Sequence, residues 1–114
     1  MSAADEVIQS VDATMTTPEP GLRRQVMSYG PNLMLVRHKM EPGWMGAAHS
    51  HPQEQLLYVV SGAIQLTIGN VVHNLEAGDS ILVAGGAPHQ ASADRPAEVL
   101  DIFTPYRADY TESE

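Results

Sequence analysis

Two histidines and an amide side chain form the first group in this chain that could do chemistry. His49 and His51 are two residues apart, so on a β-strand their side chains leave the same face. If residues 53–60 continue as a strand, Gln55 adds a carboxamide oxygen beside an apolar interior. Imidazole nitrogens and such an oxygen suit a divalent transition metal. A polar loop with two incidental histidines is the alternative, and His89 in a distant segment shifts the balance towards a metal site.

Three nearby or similar residues are assigned no role in that site. Glu54 competes with Gln55 as an oxygen donor, but on a strand its side chain faces the opposite side. His38 and His73 lie in other predicted strands. We expect both to be ordinary surface or edge residues.

Charge excludes several classes of partner. The formal net charge is −8 and the sequence pI is about 4.9. A nucleic-acid backbone or an anionic membrane surface needs clustered positive charge, so neither is an expected partner. An acidic small molecule must be met by one of the few cationic residues. These are Arg23, Arg24, Arg37, Lys39, Arg95 and Arg107.

The chain length and the N-terminal composition indicate one domain in a reducing compartment. A length of 114 residues with 43% hydrophobic residues fits a single folded domain. There is no cysteine, and residues 1–6 carry neither a basic region nor an apolar run typical of a signal peptide. No apolar stretch approaches the ~20 residues of a membrane span. We therefore expect a cytoplasmic protein.

Short apolar segments separated by Gly and Pro predict an all-β sandwich or small barrel. The predicted strands are residues 22–29, 33–40, 56–60, 63–68, 71–75, 80–83 and 98–103. Residues 1–20 are expected to be a lead-in or an arm, and Val7, Ile8 and Val11 are spaced as on one turn of helix. The charged residues after 105 are expected to be a frayed tail.

Two glycine-led segments have a distinctive spacing. The first reads Gly43, five residues, His49-x-His51, three residues, Gln55, six residues and Gly62. The second reads Gly78, five residues, Ala84-Gly85-Gly86, two residues and His89. This pair resembles the two signature motifs of the cupin superfamily, which usually has Glu at Gln55, Pro at Ala84 and Asn at Ala93.

The cupin resemblance implies a single-domain double-stranded β-helix, a jelly-roll barrel, over residues 21–107, followed by a C-terminal tail at 108–114. It also implies one divalent transition metal, Zn, Ni, Fe or Mn, inside the barrel. The implied ligands are His49, His51, Gln55 and His89. A neutral fourth ligand leaves the full charge on the ion, which strengthens its Lewis acidity.

A closer resemblance joins three separated segments. They are residues 21–26, residues 49–55 and residues 101–107. Together they are similar to the small pectin-degradation cupins, which convert cyclic 4,5-unsaturated monouronates to the linear 5-keto form. The resemblance implies a metal-dependent isomerase for an anionic sugar. Cupin relatives are commonly dimers, so a homodimer is also expected.

The last predicted strand supplies candidate catalytic residues. Asp101 and Phe103 share a face with Val99, so we expect Asp101 to be a general acid/base and Phe103 a wall for the sugar ring. Arg107 and Arg24 are candidates for the substrate carboxylate, since guanidinium groups match carboxylates. The alternatives are that Asp101 pairs with an arginine across the sheet and that Phe103 only fills the core.

Three rival functions stay open at the level of sequence. One is a non-haem iron oxygenase that uses three histidines, and another is a non-enzymatic cupin that binds a small molecule. The third is a cyclase of the polyketide type. Identifying the bound metal is the simplest way to distinguish these functional classes.

Overall fold

The computed structural model describes residues 1–111, which form ten strands and one short helix. The strands are β1 Met15–Glu19, β2 Leu22–Tyr29, β3 Met34–Met40, β4 Trp44–Met45, β5 Glu54–Ser61, β6 Ala63–Ile68, β7 Val71–Glu76, β8 Ser80–Val83, β9 His89–Ala93 and β10 Ala97–Thr104. The helix is α1 Ala108–Thr111. No helix within this part of the chain is long and apolar enough to cross a membrane.

The strands form two antiparallel sheets that enclose the core. The larger sheet has the order β1-β2-β3-β10-β5-β8, and the smaller has the order β4-β9-β6-β7. Leu57 and Val99 from the larger sheet pack in one cluster with Ile64 and Leu66 from the smaller sheet. This arrangement confirms the predicted all-β jelly-roll fold.

Alternation along the central strands decides which side chains enter the barrel. β5 and β10 alternate between buried and more exposed positions, so Gln55 and Asp101 point inward together with apolar neighbours. β3 alternates in the same way, and its inward positions include Val36 and His38. Polar groups therefore enter the core at positions that a simple apolar pattern would fill with aliphatic residues.

Two glycines permit close approaches that shape the barrel. Gly62 has φ +73°, and a Cβ there would lie 2.1 Å from the carbonyl oxygen of Pro96. A Cβ on Gly85 would lie 2.3 Å from the carbonyl oxygen of Pro52. The neighbouring Gly86 N–H donates to the His51 carbonyl at 2.7 Å. The contacts of Gly85 and Gly86 hold the two histidine-bearing segments together.

The N-terminal residues differ from the sequence-based expectation. Residues 7–11 form no helix, and Met15–Glu19 forms a strand that the sequence did not predict. That strand pairs with β2 and extends the larger sheet. Gln25 on β2 donates its side-chain amide to the carbonyls of Ser10 and Ala13, which ties residues 10–13 to the sheet.

The C-terminal residues also depart from the expected frayed tail. Ala108–Thr111 forms a single helical turn, and Tyr110 packs against the buried Phe103. The prediction was wrong for these residues because aromatic and guanidinium contacts, not charge repulsion, decide their position. Residues 112–114 of the predicted tail lie outside the described residues.

Candidate metal centre and active site

Three histidines converge at one end of the barrel. One ring nitrogen from each of His49, His51 and His89 lies within 4.8 Å of the others. The backbones of His49 and His89 exchange two hydrogen bonds, of 3.0 and 2.9 Å, which bring the two segments into register. His49 and His51, which are close in sequence, thus form one cluster with His89 from a distant strand, as the paired motifs predicted.

Each of these histidines is oriented by a backbone carbonyl two positions away in the chain. The distance from Nδ1 to that carbonyl oxygen is 3.1 Å for His49, 3.0 Å for His51 and 2.8 Å for His89. A carbonyl only accepts hydrogen bonds, so each Nδ1 carries the hydrogen and each Nε2 keeps its lone pair. This is the usual arrangement of histidines that ligate a metal through Nε2.

The electrostatics at His51 and His89 favour neutral imidazoles. Burial lowers the pKa of His51, and the charges of Arg107 and His89 lower it further. Burial is also the largest cause of the lowered pKa of His89. Neutral rings are the form in which histidine binds a metal.

Gln55 completes the donor set. Its Nε2 donates to Asp101 Oδ1 at 2.8 Å, so its Oε1 faces His51 Nε2 at 3.0 Å. Gln55 Oε1 and His51 Nε2 are both acceptors, so they cannot hydrogen-bond to each other. Rotating the amide by 180° would not help, because it would place Oε1 against the Asp101 carboxylate, which is also an acceptor. A cation between the imidazole nitrogens and the amide oxygen resolves this conflict. Three imidazole nitrogens and one amide oxygen therefore fit a divalent transition ion. The competing Glu54 is exposed on the opposite face of β5, as expected.

A cavity of about 300 Å³ adjoins the cluster. His49, Gln55 and His89 lie in its lining together with Asp101 and Phe103. Phe103 is only 1% exposed and its ring also meets His51 edge-on at 5.6 Å. Phe103 is thus both a core residue and a wall of the cavity.

The partner of Asp101 is a histidine, not an arginine. His38 Nδ1 lies 2.7 Å from Asp101 Oδ2, and both residues are buried. The prediction that His38 is an ordinary surface residue was wrong, because β3 alternates and His38 shares its inward face with Val36 and Met40. That alternation was visible in the sequence. His73 is partly exposed on β7 and does not line the cavity.

The two candidate arginines meet at the same aromatic ring. The guanidinium carbon of Arg24 lies 3.7 Å from the ring centroid of Tyr110, and that of Arg107 lies 4.1 Å from it. Both arginines and Tyr110 line the cavity. Arg23 is exposed, so only one of the two adjacent arginines turns inward. No role was predicted for Tyr110, because it lies in the expected tail.

Arg107 is buried, and only part of the hydrogen-bonding capacity of its guanidinium group is used. Its Nε and Nη2 donate to Asp109 at 3.1 and 2.8 Å. Its Nη1 is buried and has no hydrogen-bond partner among the residues that the structure describes. Burial opposes the charge of Arg107, but the hydrogen bond to Asp109 and the nearby acidic groups raise its pKa. The same hydrogen bond lowers the pKa of Asp109.

A second carboxylate in the cavity lining was not anticipated. Glu19 on β1 accepts a hydrogen bond from Trp44 Nε1 at 3.0 Å, and both residues line the cavity. The strand pattern did not place Glu19, because β1 itself was not predicted. Met45, next to Trp44, is 68% exposed and lies outside the lining.

Comparisons with known proteins place this geometry in a family. Residues 36–103 match the family model described as a cupin domain. The chain is 27% identical over 92 residues to the pectin degradation protein KdgF of Dickeya dadantii (strain 3937), covering 79% of this chain and 84% of that protein.

Solved structures show the same relationship. The structure of KdgF from Halomonas sp. has a TM-score of 0.87 and 30% identity, covering 92% of this chain and 97% of that chain. An RmlC-like cupin from Shewanella frigidimarina NCIMB 400 has a TM-score of 0.90 and 28% identity, covering 96% and 99%. The chain belongs to the cupin family and resembles the pectin-degradation protein KdgF within it.

Proposed function

We propose that this cupin is a metal-dependent isomerase that opens the ring of 4,5-unsaturated monouronates and yields the linear 5-keto form. The similarity to KdgF proteins supports a role in polyuronate catabolism. One observation carries the proposal. The lining of the cavity beside the histidine cluster includes both the buried carboxylate of Asp101 and Arg107, whose buried Nη1 has no hydrogen-bond partner within residues 1–111.

Arg107 supports an anionic substrate. A buried donor without a partner costs about 1–3 kcal/mol, so the site gains when a ligand supplies an acceptor. The carboxylate of a uronate is such an acceptor, and charge assistance strengthens the hydrogen bond. Arg24 adds a second positive charge, 3.7 Å from the centroid of the Tyr110 ring. We assign both arginines to the substrate carboxylate, with Arg107 as the direct donor.

The proposed metal ligands are His49, His51, Gln55 and His89. Because all four are neutral, a bound divalent ion keeps its full charge and supplies Lewis acidity towards an oxygen anion. The protein side chains have three other tasks, which are to hold the sugar, to exclude water and to transfer a proton. Phe103 forms an apolar wall for the first two tasks.

Asp101 is the proposed proton carrier. As a carboxylate it accepts the proton of the C1 hydroxyl, and the electron pair of that O–H bond forms the C1 carbonyl. The bond between C1 and the ring oxygen breaks, which leaves an enolate at C5. Asp101 then returns the proton to C4, and C5 becomes the ketone. The step conserves all atoms and electrons, so it needs neither an oxidant nor a co-reactant.

We also propose that the protein is a homodimer. The outer face of the larger sheet carries exposed apolar side chains on two neighbouring strands. They are Leu56, Tyr58 and Val60 on β5 and Leu82 on β8. Contiguous exposed apolar side chains of this kind mark association surfaces.

An absorbance assay tests the proposed reaction. The C4–C5 double bond is lost in the product, so ultraviolet absorbance of the unsaturated uronate should fall faster with protein than in a protein-free blank. The assay should include unsaturated galacturonate and its mannuronate and guluronate counterparts. Iron in the purified protein, with oxygen consumed and no loss of absorbance with any of these sugars, would instead indicate an oxygenase.

A further inference from the structure

We propose that His38 is a positioning residue: Arg24 and Asp101 together hold its ring as the Nδ1–H tautomer, and His38 in turn fixes the Asp101 carboxylate in the orientation that aims the Gln55 oxygen at the histidine cluster. The catalytic consequence of this arrangement rests on the proposed function. The hydrogen-bond arrangement itself does not.

The tautomer follows from the donors and acceptors. Arg24 Nε, which can only donate, lies 3.0 Å from His38 Nε2, so that nitrogen must be an acceptor. The hydrogen of the neutral ring is then on Nδ1, which faces Asp101 Oδ2 at 2.7 Å. Arg24, which can only donate, and the Asp101 carboxylate, which can only accept, therefore select the same tautomer.

The arrangement continues through the other oxygen of Asp101. Asp101 Oδ1 accepts from Gln55 Nε2 at 2.8 Å, and this bond directs Gln55 Oε1 towards His51. With one oxygen held by His38 and the other by Gln55, the carboxylate cannot rotate without losing a buried hydrogen bond. The position of the amide oxygen thus depends on His38 through Asp101.

The sheet order explains why these residues meet. β2, β3, β10 and β5 are consecutive neighbours in the larger sheet. Arg24 lies directly opposite His38 in the register of β2 and β3, while Asp101 and Gln55 lie on the next two strands. Four inward side chains, Arg24, His38, Asp101 and Gln55, therefore form one hydrogen-bonded row across four strands, which we call the polar row.

A histidine that only filled the core would behave differently on substitution. His38→Leu keeps an apolar side chain but removes the donor to Asp101. His38→Asn places an amide N–H near the position of Nδ1 and keeps that donor. A purely structural role predicts that Leu is tolerated at least as well as Asn, whereas a positioning role predicts the opposite order.

The matched variants give the first test. We expect His38→Leu to lower kcat and metal affinity each by about 10–100-fold, the usual effect of losing a residue that orients a ligand. We expect His38→Asn to recover both to within about threefold of the unchanged protein, with KM nearly constant in each variant. His73→Leu, on the exposed hairpin, is the control and should change neither quantity. Equal losses in His38→Leu and His38→Asn would overturn the proposal.

Nitrogen-15 NMR of the unchanged protein gives a second test. This measurement requires no substrate, and it does not depend on whether a substituted protein folds. Long-range proton–nitrogen correlations in metal-free and Zn²⁺-loaded protein should show a protonated Nδ1 and a bare Nε2 for His38. Arg24→Met should keep the hydrogen on Nδ1, because the Asp101 carboxylate still accepts it. A protonated Nε2 in the unchanged protein would overturn the proposal. If NMR and metal affinity behave as expected but no uronate reacts, His38 still positions the polar row and only the proposed reaction fails.

Discussion

Gln55 donates its side-chain amide hydrogen to the carboxylate of Asp101 across 2.8 Å, between the neighbouring strands β5 and β10. This one bond joins the candidate metal ligand to the candidate proton carrier. Because the amide nitrogen is engaged, the amide oxygen is left to face the histidines. A glutamate at position 55 would place a second carboxylate against Asp101, which like-charge repulsion opposes.

Substitution of Arg107 should weaken binding of the anionic substrate. A hydrogen bond to a charged group contributes about 1.5–3 kcal/mol, so Arg107→Met should raise KM by about ten- to hundredfold. Arg107→Lys keeps the charge but loses the planar fork, and we expect an intermediate value. Steady-state kinetics with unsaturated galacturonate measure the effect. Arg95→Met, which removes an exposed arginine, is the control. A KM within twofold of the unchanged protein in Arg107→Met would refute the assignment.

Metal binding should stabilise the fold through the histidine cluster. An ion at about 100 times its Kd contributes about 2.7 kcal/mol, which corresponds to a rise of about 10 °C in Tm for a domain of this size. Differential scanning fluorimetry with and without Zn²⁺ measures the shift. His73→Ala should show the full shift and His89→Ala almost none. The same shift in His89→Ala would mean that the ion binds elsewhere.

Removal of the Tyr110 ring should loosen both cavity arginines. Each guanidinium lies about 4 Å from that ring, and cation–π contacts contribute about 0.5–2 kcal/mol each. We expect Tyr110→Ala to raise KM by about three- to thirtyfold with a smaller change in kcat. Tyr110→Phe keeps the ring and should resemble the unchanged protein. If Tyr110→Ala bound substrate normally, the Tyr110 ring would have no part in holding the two arginines in the site.

The proposed dimer makes a simple prediction. Light scattering after size exclusion should give twice the chain mass of 12.3 kDa. Leu82→Lys places a charge on the apolar outer face of β8 and should give the monomer mass. Val71→Lys changes a residue of similar exposure on the β6–β7 hairpin and should remain dimeric. A monomer mass for the unchanged protein at all concentrations would rule out the dimer.

Strand period and turn residues were sufficient to predict most of the barrel. The hairpin of β6 and β7 follows from alternation on either side of Gly69-Asn70, and the pairing appears in the structure as predicted. The histidine cluster was predictable because its spacing fits strands and turns. β1 was not predictable in this way, since it contains Pro18 and is followed directly by Pro20-Gly21, a composition typical of a loop, and its formation depends on pairing with β2.

The missed parts of the site depend on contacts between distant elements. His38 was assigned to the surface because histidine is polar, although its alternation with Val36 and Met40 indicated the core. No local pattern shows that Asp101 lies beside it, because that contact depends on the placement of β10 next to β3. Tyr110 lies in a charged segment whose position is decided by two arginines and Phe103.

The most direct test of the account follows the reaction by NMR in deuterated water, with metal-loaded protein and Asp101→Asn. The unchanged protein should convert an unsaturated uronate to the open-chain 5-ketone with deuterium at C4, faster than a protein-free blank. Asp101→Asn should keep its metal but react about 10²–10⁴-fold more slowly, the usual contribution of general acid–base catalysis. No acceleration with any unsaturated uronate, or an Asp101→Asn rate equal to that of the unchanged protein, would contradict the account.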